Sequence, residues 1–298
     1  MSESFKGVAA MLCACIIWGL SPLYYKLLSH VPPLEVLAHR TLWSCVFFAA
    51  VLMVQGRIGQ LGLALSRRRD AVVVGFAALM ISTNWFFFIS SIQMGKAIQA
   101  SLGYYTFPLA SVLFGALFFR ERLGRAQTAA VGLAAVAVVV LTAGLGVAPW
   151  IALILATTFG LYGVVKKYLS VGPVVSVTAE VLLLSPLALA VLGHVHSAGG
   201  GYFAGSLSDS VLLAVSGPLT ATPLILFSYA ARRLRLATVG LLQYVNPTLQ
   251  FLVATLVFRE VFSLWHAIAF GLIWTALAIY STATWRQDRA ARRVAQSS

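Results

Sequence analysis

Residues 96–121 read KAIQASLGYYTFPLASVLFGALFFRE, and residues 235–260 read RLATVGLLQYVNPTLQFLVATLVFRE. One constant offset places Tyr105 on Tyr244 and Pro108 on Pro247, and it superposes two Phe-Arg-Glu triplets. Leucine matches would mean little in so apolar a chain, but a frame of charged residues and proline at constant spacing rarely arises by chance. The two stretches therefore indicate an internal repeat.

The first predicted helix of each half follows the same pattern with a slightly larger offset. This offset pairs residues of similar type, namely Gly19 with Gly160, Lys26 with Lys167, and Pro32 with Pro173. The sequence thus predicts two repeats, residues 1–145 and 146–285, followed by a basic tail at 286–298.

The composition indicates an integral membrane protein. Charged residues make up 10% of the chain and hydrophobic residues 60%, whereas soluble domains carry about 25% charged residues. The apolar blocks are long enough to cross a hydrocarbon core of about 30 Å as helices. We predict an all-α protein with ten spans, at 7–27, 34–55, 71–93, 97–118, 126–143, 149–166, 174–194, 210–230, 236–257 and 263–284.

The distribution of Lys and Arg predicts the orientation of these spans. With cytoplasmic N and C termini, 17 of the 21 basic residues fall on the cytoplasmic side. Lys26, Lys96 and Arg259 remain outside, and Arg40 lies within a span. The positive-inside rule therefore favours cytoplasmic termini in a bacterial inner membrane. The formal charge of +13 suits anionic lipid headgroups, and we expect no nucleic-acid partner.

Each repeat contains five predicted helices, so the two halves must insert with opposite orientations. Inverted repeats characterise secondary transporters, whose substrate site lies near the membrane midplane between the halves. The two halves could form a complete monomeric transporter.

Seven stretches resemble those of a known family. They are IIWGLSPLYYKLL at 16–28, AHRTLWS at 38–44, NWFFF at 84–88, ASLGYYTFPLASVLFG at 100–115, FFRERL at 118–123, LYGVVKK at 161–167 and RRLRLATVGLLQYVNPTLQF at 232–251. The chain resembles EamA-type members of the drug/metabolite transporter superfamily, and among them the RarD-like permeases. This resemblance implies ten helices and export of amino acids or other small metabolites through a central cavity. RarD-like permeases are also associated with chloramphenicol, so a drug permease is an alternative, and a channel-like facilitator or a membrane enzyme are further ones.

Three ionisable residues fall well inside the predicted spans, and such residues are costly there unless they are paired or functional. They are His39, Arg40 and Glu180. Arg40 cannot shed its charge and needs a carboxylate, carbonyl groups or a bound anion, and Glu35 is a local candidate partner. We predict that Arg40 binds a substrate carboxylate and that His39 and Glu180 serve proton coupling or gating. A structural ion-pair network is the alternative.

Aromatic and amide residues within the spans form a second candidate set. Amides and phenols can hydrogen-bond a zwitterion, and aromatic rings offer apolar contact and a cation–π face. The predicted substrate-binding residues are Trp18, Asn84, Trp85, Gln99, Tyr104, Tyr105, Tyr162, Gln243, Tyr244 and Asn246. Interhelical packing is the alternative role. The repeat-matched prolines Pro108 and Pro247 are candidate hinges.

Several kinds of chemistry lack support in the sequence. The triplet Gly199–Gly201 has no following Lys or strand, which argues against a nucleotide-binding loop. Cys13, Cys15 and Cys45 form no CxxC pair, and no catalytic or metal-ligand spacing stands out. We therefore expect a transporter rather than an enzyme, with no cofactor and no bound metal, whose partners are a small-molecule substrate and membrane lipids.

Overall fold

The computed structural model describes residues 3–119, 123–166, 169, 171–234 and 236–297. These residues are mainly helical and include no strand. The helices are α1 (Glu3–Leu27), α2 (Pro33–Val54), α3 (Gln60–Ser66), α4 (Arg68–Gln93), α5 (Ala97–Phe119), α6 (Arg125–Leu145), α7 (Trp150–Lys166), α8 (Pro173–Ser197), α9 (Leu207–Ala231), α10 (Leu236–Gln243), α11 (Val245–Leu252) and α12 (Leu264–Ser297), with a π-helical turn at Val253–Val257.

Eight of the described helices are long and apolar enough to cross a membrane: α1, α2, α4, α5, α6, α8, α9 and α12. The shorter apolar helix α7 occupies the predicted span 149–166. The all-helical class is confirmed, and eight of the ten predicted spans correspond to helices of sufficient length. The count of ten spans remains a prediction.

The predicted span 236–257 is not one continuous helix, which corrects the sequence prediction. The chain breaks at Tyr244 between α10 and α11 and then forms the π-helical turn. Pro247 lies in the first turn of α11, where its missing N–H and fixed φ are tolerated. In a continuous helix, the carbonyl of Gln243 would lack its donor and clash with the proline ring. Pro108, in contrast, lies inside the unbroken α5.

Two predicted connecting segments also differ from expectation. The segment 56–70, predicted as a loop, contains α3, and α12 continues through the predicted tail to Ser297. Parts of the repeat frame, namely Arg120 to Arg122, Lys167 and Arg235, lie outside the described residues.

At one end of the helix bundle, the two halves of the chain make direct contact. The Glu260 carboxylate accepts hydrogen bonds from the backbone N–H groups of Ala97 and Ile98, at 2.7 and 2.8 Å. These are orphan donors at the start of α5, so the carboxylate caps this helix from the other half. The neighbouring Arg259 adopts φ = 54°, a strained conformation for a residue with a side chain. We call this the Glu260 end.

Other predicted external segments meet at the same end. The His30 imidazole lies 2.9 Å from the Asp209 carboxylate, and Glu35 accepts a hydrogen bond from the backbone N–H of Tyr202 at 2.8 Å. These contacts join the loop between α1 and α2 to the first turn of α9, and the first turn of α2 to the segment between α8 and α9. The Glu260 end is therefore closed by several polar contacts.

The opposite end collects the predicted cytoplasmic segments. Arg233, after α9, lies 2.8 Å from Glu3 at the start of α1, and Gly172 lies beside Arg57. We call this the Arg233 end. The connecting segments named here thus group into two sets, one at each end of the bundle.

Contacts between helices of different halves come in equivalent pairs. Each contact recurs when both helices are replaced by their counterparts in the other repeat. Contacts of α1 with α11, α1 with α9 and α2 with α9 are matched by contacts of α7 with α5, α7 with α4 and α8 with α4. Close approaches follow the same relation. Gly19 packs against Leu249, and its counterpart Gly160 packs against Ala110. Ala110 and Leu249 are equivalent under the offset that relates Tyr105 to Tyr244. The repeat in the sequence therefore coincides with paired contacts between helices.

Glycine allows close approach of α9 to α2. A Cβ added at Gly217 would collide with the carbonyl group of Trp43, which belongs to the backbone and cannot rotate away. At Gly75, within α4, nothing lies within 4 Å of an added Cβ. The two glycines therefore differ in what an added methyl group would meet.

We predict that Gly217→Ala lowers the free energy of unfolding by about 1–3 kcal/mol, since overpacking displaces a helix backbone. Gly75→Ala should leave stability unchanged or raise it slightly because alanine favours helix. Thermal unfolding of the purified proteins in detergent measures both effects. Equal midpoints for the two variants would contradict the packing argument.

Candidate functional site

A cavity of about 520 Å³ lies among the helices of both halves. Tyr25 and Arg40 line it near the Glu260 end, where α1 ends and α2 begins. Phe227, near the end of α9, and Trp285 line it toward the Arg233 end. The cavity therefore runs from the middle of the bundle toward the Arg233 end, while contacts close the Glu260 end.

Many lining residues are related by the repeat. The two offsets of the repeat relate many lining positions in pairs, and both members of each pair line the cavity. These pairs are 18/159, 21/162, 81/220, 85/224, 88/227, 104/243, 107/246, 108/247 and 111/250. Because both halves contribute equivalent positions, the cavity lies where the two repeats meet.

The structure brings most of the predicted site residues into this cavity. The lining includes Trp18, Asn84, Trp85, Tyr104, Tyr162, Gln243, Tyr244 and Asn246, together with Arg40, Pro108 and Pro247. Four predicted residues are placed elsewhere: Gln99, Tyr105, His39 and Glu180.

Tyr105 lies behind the cavity wall. It is 3% exposed, its hydroxyl lies 2.6 Å from the Thr248 hydroxyl, and its ring stacks on Tyr244 at 6.5 Å between centroids. Ser101 donates a hydrogen bond to the Pro247 carbonyl at 2.9 Å. Tyr105 therefore joins the two repeat-related helices α5 and α11 and supports the lining residue Tyr244.

His39 is buried and Gln99 is partly buried, and neither lines the cavity. The His39 ring stacks on Phe203 at 4.8 Å between centroids, and its Nε2 has no hydrogen-bond partner in the described part of the chain. Gln99 likewise has a buried Oε1 without a partner among the described residues. Neither side chain lines the cavity, so the structure does not support the predicted roles of His39 in coupling or gating and of Gln99 in substrate binding.

Arg40 is the charged group of the cavity. The residue is only 6% exposed. Nη1 donates to the Tyr25 hydroxyl at 2.8 Å, and the guanidinium carbon lies 4.1 Å from the centroid of the Trp85 ring. A desolvated cation–π contact of this kind contributes about 2 kcal/mol, which offsets only part of the cost of burying the charge.

No acidic side chain pairs with Arg40 in the described ranges. Its Nε is buried without a partner among the described residues, and the candidate partner Glu35 forms no ion pair with it. Glu35 instead binds the backbone of Tyr202, and its Oε2 has no partner among the described atoms. Since arginine stays protonated, the cavity holds a positive charge that a bound anion would neutralise.

Glu180, by contrast, is fully engaged by neighbouring groups. Its carboxylate is 0% exposed and forms an ion pair with Lys166. It also accepts hydrogen bonds from the Ser176 hydroxyl at 2.9 Å and from the Tyr162 hydroxyl at 3.1 Å. These contacts tie α7 to α8, and Glu180 meets the cavity only through Tyr162. The geometry matches the structural ion-pair network considered as the alternative in the sequence analysis.

Asn84 also acts within the protein. Its amide donates to the Leu155 carbonyl and the Thr158 hydroxyl, both at 3.0 Å, and accepts from the Tyr104 hydroxyl at 2.8 Å. One side chain thus connects α4, α5 and α7. Although Asn84 lines the cavity, its hydrogen-bonding groups mainly position the wall.

A continuous aromatic wall adjoins Arg40. Ring centroids of neighbouring residues lie 5.6 Å apart for Phe88 and Tyr104, 5.9 Å for Tyr104 and Phe159, and 5.9 Å for Phe159 and Tyr162. These rings come from α4, α5 and α7, so these three helices supply most of the apolar side of the cavity.

Sequence reasoning missed several lining residues, including Tyr25, Ser111 and Gln250. The repeat contained a signal for two of them, since Ser111 and Gln250 are matched by the same offset as Tyr105 and Tyr244. Both have a buried side-chain oxygen without a partner among the described residues.

We predict that Lys166→Met destabilises the protein by about 3–5 kcal/mol, because it leaves the buried Glu180 carboxylate unpaired. Glu180→Gln should cost less, because the Lys166 side chain that it leaves unpaired is 22% exposed. The double variant Lys166→Met/Glu180→Gln should recover much of this loss. Chemical denaturation of the four proteins in detergent gives the coupling energy. Additive losses would show that the two residues do not act as a pair. The exposed pair of Lys6 and Glu3 is the control, and Glu3→Gln should have little effect.

Comparison with known proteins gives matches along the chain. The model of the EamA-like transporter family matches residues 5–143. Uncharacterized transporter YojE of Bacillus subtilis (strain 168) is 41% identical over 297 residues, covering 98% of each chain. Protein RarD of Streptomyces exfoliatus is 41% identical over 278 residues, covering 93% of this chain and 87% of the relative. A crystal structure with 22% sequence identity shares the fold, with a TM-score of 0.58 over 93% of this chain and 97% of that chain.

Proposed function

The chain belongs to the EamA-like transporter family as a RarD-like permease, and on this premise we propose that it exports small zwitterions, neutral and aromatic amino acids among them. Membership of this family, together with eight apolar helices of spanning length, indicates a multi-pass membrane protein with a small-molecule substrate. The proposal adds the substrate class, the direction of transport and a location in the bacterial inner membrane.

The proposed architecture is ten spans in two inverted halves, residues 1–145 and 146–285. Paired helix contacts support this arrangement, as does the repeat-related approach of Gly19 to Leu249 and of Gly160 to Ala110. The grouping of connecting segments into two ends supports alternating spans. With cytoplasmic termini, the cavity in this structure reaches toward the cytoplasm and is closed on the external side, as an exporter loading its substrate requires.

The observation that carries the substrate class is the unpaired guanidinium of Arg40 in the cavity. A carboxylate is a matched anion for it, because the guanidinium presents several N–H donors and cannot lose its charge. A buried cation without a counter-ion is costly, so a substrate carboxylate would compensate it. The binding free energy would then favour carboxylate-bearing molecules.

The aromatic wall supports the second part of the substrate class. Rings such as Phe88, Tyr104 and Phe159 offer an apolar surface beside the guanidinium. Aromatic and larger apolar side chains gain favourable burial and ring–ring contacts there. A small carboxylate with an apolar or aromatic side chain therefore fits both features of the cavity.

We predict that Arg40→Gln lowers saturable uptake of L-phenylalanine into proteoliposomes by at least about tenfold, since removal of a charged hydrogen-bond partner typically costs about 1.5–3 kcal/mol. Uptake is measured with radiolabelled substrate, with and without an imposed pH gradient. Arg57→Gln, which changes an arginine at the Arg233 end bonded to Gln55 and Gln60, is the control and should transport normally.

Wild-type rates in Arg40→Gln would refute carboxylate recognition by this residue. Absence of amino-acid uptake by folded wild-type protein, together with saturable uptake of chloramphenicol, would instead support a drug permease.

A further inference from the structure

The two repeat-related walls of the cavity differ in chemistry although their positions are equivalent. At three equivalent pairs of lining positions, the α5 member is an aromatic residue or a serine and the member on α10 or α11 is an amide. The equivalent pairs are Tyr104 and Gln243, Phe107 and Asn246, and Ser111 and Gln250. A ligand between these walls would meet an apolar surface on one side and hydrogen-bonding groups on the other, so it would bind in a defined orientation.

Gln250 is the most constrained member of the amide wall. It is 2% exposed, and its Nε2 donates to the Asn246 Oδ1 at 3.0 Å. With the Asn246 amide in this orientation, the Gln250 amide uses its N–H end in this hydrogen bond and directs its carbonyl end elsewhere. The Gln250 Oε1 then remains buried without a donor among the residues that the structure describes. Such an acceptor is costly unless a partner arrives.

The described cavity lining contains acceptors of this neutral kind but no Asp or Glu. Glu180 forms an ion pair with Lys166 and contacts the cavity lining only through its hydrogen bond with Tyr162. An ammonium group entering the cavity would therefore be bound by amide carbonyls and rings rather than by a carboxylate. Neutral acceptors avoid placing a permanent negative charge in the membrane.

We propose that Gln250 determines specificity by accepting a hydrogen bond from the substrate's ammonium group through Oε1, with Asn246 as a positioning residue. The substrate class is thereby narrowed from carboxylates to carboxylates that also carry a cationic hydrogen-bond donor. This inference rests on the proposed function, in which Arg40 binds the carboxylate. Together, the two residues bind opposite charges of one zwitterion.

The test compares L-phenylalanine with 3-phenylpropionate, which lacks only the amino group. Binding to the purified full-length protein in nanodiscs is measured by calorimetry. Wild-type protein should prefer L-phenylalanine by about tenfold or more, the scale of a hydrogen bond to a charged group. Gln250→Met, of similar volume but without the acceptor, should bind both compounds with similar affinity. Gln250→Glu, which keeps an acceptor, should retain the preference.

Gln99→Met is the matched control. Gln99 is also a glutamine with a buried Oε1 that lacks a partner among the described residues, but it lies outside the cavity lining. This variant should keep the wild-type preference. Asn246→Leu should weaken the preference because the Gln250 amide would no longer be fixed, and Asn246→Asp should preserve it through the retained acceptor.

The outcomes separate this inference from the proposed function. If Gln250→Met keeps the preference for L-phenylalanine while Arg40→Gln loses affinity for both compounds, the role of Gln250 is refuted and carboxylate recognition stands. If Arg40→Gln binds both compounds as tightly as wild type does, carboxylate recognition is refuted. If folded wild-type protein binds neither compound, both proposals fail together.

Discussion

The cavity is organised around a permanent positive charge in a low-dielectric environment. The Arg40 guanidinium keeps its proton, and two aromatic faces and one hydroxyl surround it without supplying a negative charge. Lys166, a second basic group near the cavity, has a side chain that is 22% exposed and is paired with Glu180. Lys166 is thus neutralised within the protein, whereas no acidic side chain among the described residues neutralises Arg40.

Around this charge, the repeat provides a symmetric scaffold with an asymmetric lining. Glycines at equivalent positions in α1 and α7 allow equivalent helices to approach closely. The side chains facing the cavity then differ between the halves, with aromatic residues on α5 and amides on α11. Such a division lets the backbone keep equivalent contacts in both halves while the cavity distinguishes the two ends of a substrate. Only the lining positions need to depart from symmetry.

The sequence predicted the helical class, most helix boundaries and the meeting of the repeats at the site, because long apolar blocks and a charged frame are strong signals. It did not predict the break at Tyr244. Pro108 and Pro247 are equivalent in sequence, but only Pro247 lies in the first turn of a new helix, so tertiary contacts decide the outcome. Likewise, the sequence indicated how far along their helices His39 and Glu180 lie. It did not indicate which neighbours their side chains contact, because that depends on packing. Gln250 was missed because its counterpart in the repeat is a serine, Ser111, so the two positions share their offset but not their residue type.

The Glu260 carboxylate, bound to the first backbone donors of α5, has a consequence for the membrane itself. A permease with a cavity of this size would dissipate ion gradients if both ends were open together. Two charge-assisted hydrogen bonds, each contributing about 1.5–3 kcal/mol, join the two halves at this end. Any opening that separates α5 from Glu260 would therefore have to replace both bonds, which makes the cap a barrier to leakage at this end.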